Sequence, residues 1–428
     1  MKKVIRIILG FAVAIAAIAA FAAAAVIEAE PVVPPATLPV AEDVRGALLL
    51  GQTALAMSQI DQPADYTISS QWLEGAHRLV AHAKRTVRAD GVLRDHAAAF
   101  RLSRRIATHG WLNLELRLVA RPDGGAPRVE LVAGPWRAPD VLPPLIFRLG
   151  MRLAHSDGPL VREVGEIIPH FAVTPDAIHM QARLPRAIAG AVQKLASSGG
   201  GPDVDSGEVR AVYGTLLAYQ VLHPKADFPS YLRVGAREVD GERGLRSLVV
   251  AVTMLVDGPR IRRAIGERSE TPPCIIPAQL VFIHGRNDSP KHWSLSAAIA
   301  LLAGPRTARA VGYWKELDDS LPGGDGVPGG SGFSFVDLGT DLGGVMVGQV
   351  ARSGDGADRL LALLRQVNAD MLLPPAILRL PEGVYTHAFR HRYGGLEQPP
   401  LLRTEQRIRQ MLAASPLYRD SAAAGAEG

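Results

Sequence analysis

The chain has 428 residues, 47% hydrophobic and 5% aromatic, with 47 Lys plus Arg against 42 Asp plus Glu. That length accommodates two or three domains with their own cores, and the basic residues, nearly all Arg, lie dispersed among acids with no basic block interleaved with aromatics, which excludes a nucleic-acid partner. A single cysteine, Cys274 between Pro273 and Ile275, excludes an intrachain disulfide framework and a thiolate metal cage, lies too deep in the chain to carry a lipid anchor, and reads as a small core residue.

In chain order, Lys2, Lys3 and Arg6 precede a run without charge, residues 7–27, from Ile7 to Ile27. A helix of that length rises about 30 Å and crosses a hydrocarbon core. The positive flank puts the start in the cytoplasm and the body in the periplasm, so the inner membrane is the expected partner. Small residues Ala22 to Ala25 leave a cleaved signal peptide open as the alternative to a retained anchor. Either way the body is exported.

Residues 28–40, EAEPVVPPATLPV, are a Pro-rich spacer expected to stand extended and lift the body off the membrane, and residues 41–59 are expected to be helical. Residues 67–84 place Trp72, Leu73, Ala76, Leu79 and Val80 near one helical face. In residues 111–119, Leu112, Leu114, Leu116 and Leu118 alternate with Asn113, Glu115 and Arg117, the pattern of a half-buried antiparallel strand. RPDGGAP then turns the chain into a second strand at 128–132; an apolar helix within 136–153 and two strand segments within 171–184 follow. The order of these pieces over residues 60–185, "TISSQWLEGAH", the Leu strand, "GPWRAPDVLPP" and "FAVTPDAIHMQARLP", resembles the YpmS-type membrane-anchored envelope proteins. That resemblance implies a tubular lipid-binding fold with an apolar groove, against the plainer expectation of a sheet-on-helix core without a cavity.

SSGGGPDVDSG at 197–207 is the expected joint. Beyond it, residues 208–221 and 243–256 read as helices, 272–281 as an extended connector, and His223 and His284 as isolated surface or core residues. The segment from Asp288 to Gly348 reads as three short helices carrying His292, Lys315, Glu316, Asp319, Asp337 and Asp341, polar residues expected to face one another. Ser289-Pro290 is a helix start, with Ser as cap. Glu316 and Asp319 stand i, i+3, Ser334 to Asp337 form a capping box, and Asp341 follows one turn on without capping duty, so its burial needs His292 or Lys315 as partner. The glycines at 323–332 lack the lysine of a P-loop, and Gly330-Ser331-Gly332 lacks the nucleophile-elbow spacing.

Asp288, Lys291 and His292, then "KELDDS", then "GSGFSFVDLGTDLGG", resemble the small YfiM-type bacterial envelope lipoproteins of unknown function. The matching positions are Asp288, His292, Lys315, Glu316, Asp319, Ser331, Ser334, Asp337 and Asp341. Lys291 directly before His292, the extra glycines and the missing lipid-modified cysteine depart from that pattern, and the likeness transfers no activity. Three readings stand open for this set: a structural ion-pair network, an acid–base site of His292 with Glu316, Asp319 and Asp341, and a divalent metal site, which Lys291 and Lys315 would oppose. No cofactor or resident metal is assigned. After residue 353 the chain reads as helical, His387 and His391 as surface residues, and 421–428 as a disordered tail.

The expectation is an α+β protein: an anchor or signal at 1–30, spacer and helix at 31–65, an antiparallel domain at 66–196, a mainly helical domain at 208–352 bearing the polar set, and a helical extension at 353–420. Its expected function is to bind an apolar or lipid-like ligand, or an envelope partner, through the first domain; the alternative is a hydrolase acting on envelope material at His292.

Overall fold

The computed structural model describes residues 27–59, 62–84, 86–106, 110–154, 163–183, 202–258, 281–323 and 329–419. The fold is α+β, with antiparallel sheets followed by helices. The chain divides into two units, residues 1–39 with 43–189 and residues 190–428 with 40–42. The expected span lies outside the described residues apart from Ile27, as do Cys274, most of the connector at 272–281 and the tail at 421–428. No helix among the described residues is long and apolar enough to cross a membrane.

In the first unit, β1 (Ile27–Glu28), β3 (Val87–Arg94), β4 (Ala97–Arg105), β5 (Trp111–Val119), β6 (Arg128–Ala133) and β7 (Trp136–Arg137) form one antiparallel sheet, and β2 (Ala64–Ser69), β8 (His170–Val173) and β9 (Ala177–Ala182) form a second. Helices α1 (Ala41–Gln59), α2 (Ser70–Ala83) and α3 (Leu142–Ala154) accompany them. Met57, Ile68, Leu73, Phe171, Val173 and Ile178 make the core. Two sheets replace the single one expected, because residues 64–69 do not begin a helix. Thr67 and Ile68 pair with His179 and Ile178 of β9, and α2 starts only at Ser70, where Ser69 Oγ accepts from the Gln71 N–H at 3.2 Å.

The Leu alternation does form a strand, but its faces are used in the opposite sense. Asn113 is buried at 3% exposure while Leu114 and Leu116 are 40% and 37% exposed. Asn113 can be buried because its amide is fully engaged: Oδ1 accepts from Val32 N–H (3.1 Å) and Ser103 Oγ (2.6 Å), and Nδ2 donates to the Glu30 carbonyl (3.0 Å) and the Glu28 carboxylate. Val33 N–H donates to Ser103 Oγ at 3.1 Å, and the Val33 side chain is buried. The start of the Pro-rich segment is therefore bound along the polar side of the sheet, a correction to the expected free-standing spacer. On the opposite side the register aligns Ala98, Phe100 and Leu102 of β4, Leu118, Leu116 and Leu114 of β5, and Val129, Leu131 and Ala133 of β6 into a continuous apolar face.

The second unit comprises α4 (Ser206–Leu222), α5 (Phe228–Arg237), α6 (Gly241–Asp257), α7 (Ser289–Ala303), α8 (Pro305–Asp319), α9 (Phe335–Ser353), α10 (Ala357–Leu364), α11 (Ala369–Leu372), α12 (Thr386–Tyr393) and α13 (Pro399–Ala413). Helix α9 is its axis, with every residue from 335 to 348 buried. Gly344 and Gly348 lie directly on the Trp293 and Ala297 carbonyls of α7, so the two helices cross at backbone distance. The helices after residue 353 pack into the same unit. Phe389 stacks on Phe333, and Tyr418 OH accepts from Trp293 Nε1 (2.9 Å) and donates to the Leu372 carbonyl (2.7 Å).

Candidate functional site

The first turn of α7, the last turn of α8 and the first two turns of α9 deliver the polar side chains to one place. Asp288 caps α7, accepting from Ser289 N–H at 2.8 Å, and Pro290 occupies its first turn; the cap is thus one residue earlier than expected, which leaves Ser289 fully buried. This start turns His292 and, one turn later, Ser296 toward α9. His292 Nδ1 lies 3.2 Å from Asp341 Oδ1, which also accepts from Ser296 Oγ at 2.7 Å. His292 Nε2 is 3.8 Å from Asp337 Oδ2, beyond hydrogen-bond distance.

Ser334 caps α9, accepting from Asp337 N–H at 3.1 Å, but the reciprocal half of the expected capping box is absent. The Ser334 N–H donates instead to Glu316 Oε2 of α8 at 2.7 Å. Glu316, fully buried, thereby ties two helices together and releases the Asp337 carboxylate to face His292 and Arg286. Arg286 reaches Asp337 (3.2 Å), Asp288 (3.0 Å) and Glu382 (2.8 Å), forming a rim over the centre.

Two oxygens in the centre, Glu316 Oε1 and Asp341 Oδ2, both buried, have no hydrogen-bond partner among the described residues. Gly312 lets the α8 backbone pack against the Asp341 carboxylate, since a side-chain carbon there would stand 2.8 Å from Asp341 Oδ2. A buried carboxylate oxygen without a partner costs about 1–3 kcal/mol or more, so this is an incompletely satisfied centre.

The electrostatics follow from three acids enclosed with one imidazole. Burial opposes charge on His292, but the Asp341 carboxylate, its hydrogen bond, and then Asp337 and Glu316 outweigh it and push the ring up to about 9. Burial first, and then the charge of Asp337, push Glu316 up to about 8, against the downward pull of the Ser334 N–H and His292. Burial likewise raises the Asp337 carboxyl. At neutral pH the centre therefore holds protons on both His292 and Glu316.

The structure brings together His292, Glu316, Asp337 and Asp341 and leaves the other expected members outside. Asp319 pairs with Lys315 on the outer side of α8, so the i, i+3 spacing from Glu316 does not put both carboxylates in the centre. Lys291 points outward, Ser331 is exposed, Asp288 joins the Arg286 rim, and Ser334 contributes its backbone and cap. His387 and His391 are exposed, as expected. Ser296, Arg286, Glu382 and Gly312 are additions. Ser296 stands i+4 from His292 on the same helical face, a spacing that could have flagged it, whereas Arg286 and Glu382 carry no local signal.

No family model, curated protein or solved structure matches this chain. Within the centre, the His292 and Asp337 side chains keep 15% and 12% exposure and Asp341 keeps 5%, which gives a substrate carbonyl little access to the acids. The first unit is different: Leu114 and Leu116 sit on a middle strand of its larger sheet, where an apolar face is ordinarily covered, and Trp136, Val141, Leu145 and Ile146 are 50%, 78%, 60% and 48% exposed nearby in sequence.

Proposed function

We propose that the protein is a membrane-anchored envelope protein, held at the inner membrane by residues 7–27 with its body in the periplasm, that binds an apolar, lipid-like ligand on the Leu face of its first unit. The reading rests on one observation above the others, the exposure of Leu114 and Leu116 in the middle of a continuous apolar sheet face. Ala98 at one end of that face belongs to the unit's core, and Phe100 and Leu118 pack against it, so the ligand lies on the remaining open part, beside Leu131 and Ala133. An acyl chain suits such a strip, since each buried methylene contributes about 0.8 kcal/mol without asking for a polar partner.

Native mass spectrometry and lipid extraction of the full-length protein test this. Co-purified lipid is expected with the natural chain and its loss with Leu116→Glu; a chain that carries no lipid in either form overturns the reading. The hydrolase reading at His292 has less support, because Glu316 and Asp341 are closed to a substrate.

A further inference from the structure

The polar centre of the second unit contains more acid than its cations neutralise. Lys315 and Asp319 compensate each other outside it, and Arg286 is divided among Asp288, Asp337 and Glu382. What remains inside is the His292 imidazole with Glu316 and Asp341, each acid having one oxygen bonded to the protein and one without a hydrogen-bond partner among the described residues. One ligand atom from each of His292, Glu316 and Asp341 can be chosen so that all lie within 4.8 Å of one another.

We propose that His292, Glu316 and Asp341 are the protein ligands of a small divalent transition cation, Mn²⁺ or Zn²⁺. The cation displaces the protons that His292 and Glu316 hold at neutral pH and releases them to solvent; the two carboxylate oxygens then supply hard donors, and the imidazole adds the borderline nitrogen that Mg²⁺ and Ca²⁺ do not seek. Ca²⁺ is further disfavoured because it takes six to eight oxygens. Bonds of about 2.1 Å hold ligand atoms no more than about 4.2 Å apart, so any pair of the set wider than that draws together on binding. The bonds already made would act as the outer shell: Ser334 N–H orients Glu316 through its other oxygen, and Ser296 does the same for Asp341. Lys291 is exposed and Lys315 is paired with Asp319, so neither occupies the ligand positions, although the Lys315 charge still acts on Glu316 and Asp337 and works against a cation there. The inference is independent of the lipid reading, which concerns the first unit alone.

The test uses the full-length chain, purified in detergent, stripped with chelator and titrated separately with Mn²⁺ and Zn²⁺ by calorimetry. One equivalent of at least one ion is expected to bind, with affinity weakened roughly 100-fold or more in Glu316→Gln and Asp341→Asn and unchanged in Asp319→Asn. Where the buried variants fail to fold, the natural chain decides: if Mn²⁺ binds, electron-nuclear double resonance with ¹⁵N-histidine labelling should show nitrogen coupling, and if only Zn²⁺ binds, X-ray absorption should show an imidazole among oxygen ligands. No binding of either ion at 1 mM, the highest concentration to be tried and about the weakest affinity of extracellular calcium modules, overturns the proposal. So does bound metal with no histidine ligand, or binding that both variants retain.

Discussion

At the scale of single residues, the centre is defined by where protons sit. His292 is pushed from its usual value up to about 9, so the stability it contributes is fully present below about pH 6.5 and is lost as pH rises through about 9. Glu316 is pushed up to about 8, so the folded state holds its proton where the unfolded chain has released it, and stability also falls between about pH 4.5 and 8. Both contributions have the same sign. Thermal melts of chelator-treated protein should therefore show a melting temperature that declines from pH 5 to pH 9, with Glu316→Gln flattening the lower part; a profile that rises with pH contradicts the protonation described. His292, Glu316, Asp337 and Asp341 were legible in the sequence because acids and an imidazole are costly among apolar helical residues unless they meet. Asp319 was misplaced because spacing along a helix says which residues share a face and not how far that face is buried. Glu316 bonding the Ser334 N–H was illegible, since the competing capping box is a local pattern and the bond that displaces it spans two helices.

At the scale of elements, the α7–α9 crossing positions the whole centre. Gly344 lies on the Trp293 carbonyl, so Gly344→Val forces the helices apart and should cost about 3 kcal/mol, moving Asp341 away from His292 and Ser296. Denaturant unfolding measures the loss; a variant as stable as the parent would mean the helices do not cross as described. The helices were largely readable, α1 with the bounds expected, because apolar periodicity and caps are local. Strand β3 was not, as VRADGVLR carries Arg88, Asp90 and Gly91 and finds its partners only across the sheet, where Asp90 pairs with Arg101. For β5 the alternation identified the strand but not the direction of its faces, since burial of Asn113 depends on a segment some eighty residues earlier.

For the molecule as a whole, residues 28–33 are part of the first unit's fold. Asn113→Leu leaves the Val32 N–H and the Glu30 carbonyl without their side-chain partner, at a cost of about 1–3 kcal/mol, and should release this segment. Hydrogen exchange would show it as lost protection at Val32 and Val33 with little change at Phe171 or Ile178 of the second sheet; retained protection at Val32 would show that the segment is held by other means. Length accommodates two or three domains and the sequence puts a joint at 197–207; the chain divides between 189 and 190.

Ile27 and Glu28 are laddered to Leu112 and Trp111, with no slack between the uncharged run and the first strand. On the anchored reading proposed above, a cut after Ala25 would leave the Ile27 and Glu28 pairings intact and free the body from the bilayer, whereas the uncut chain would keep it there.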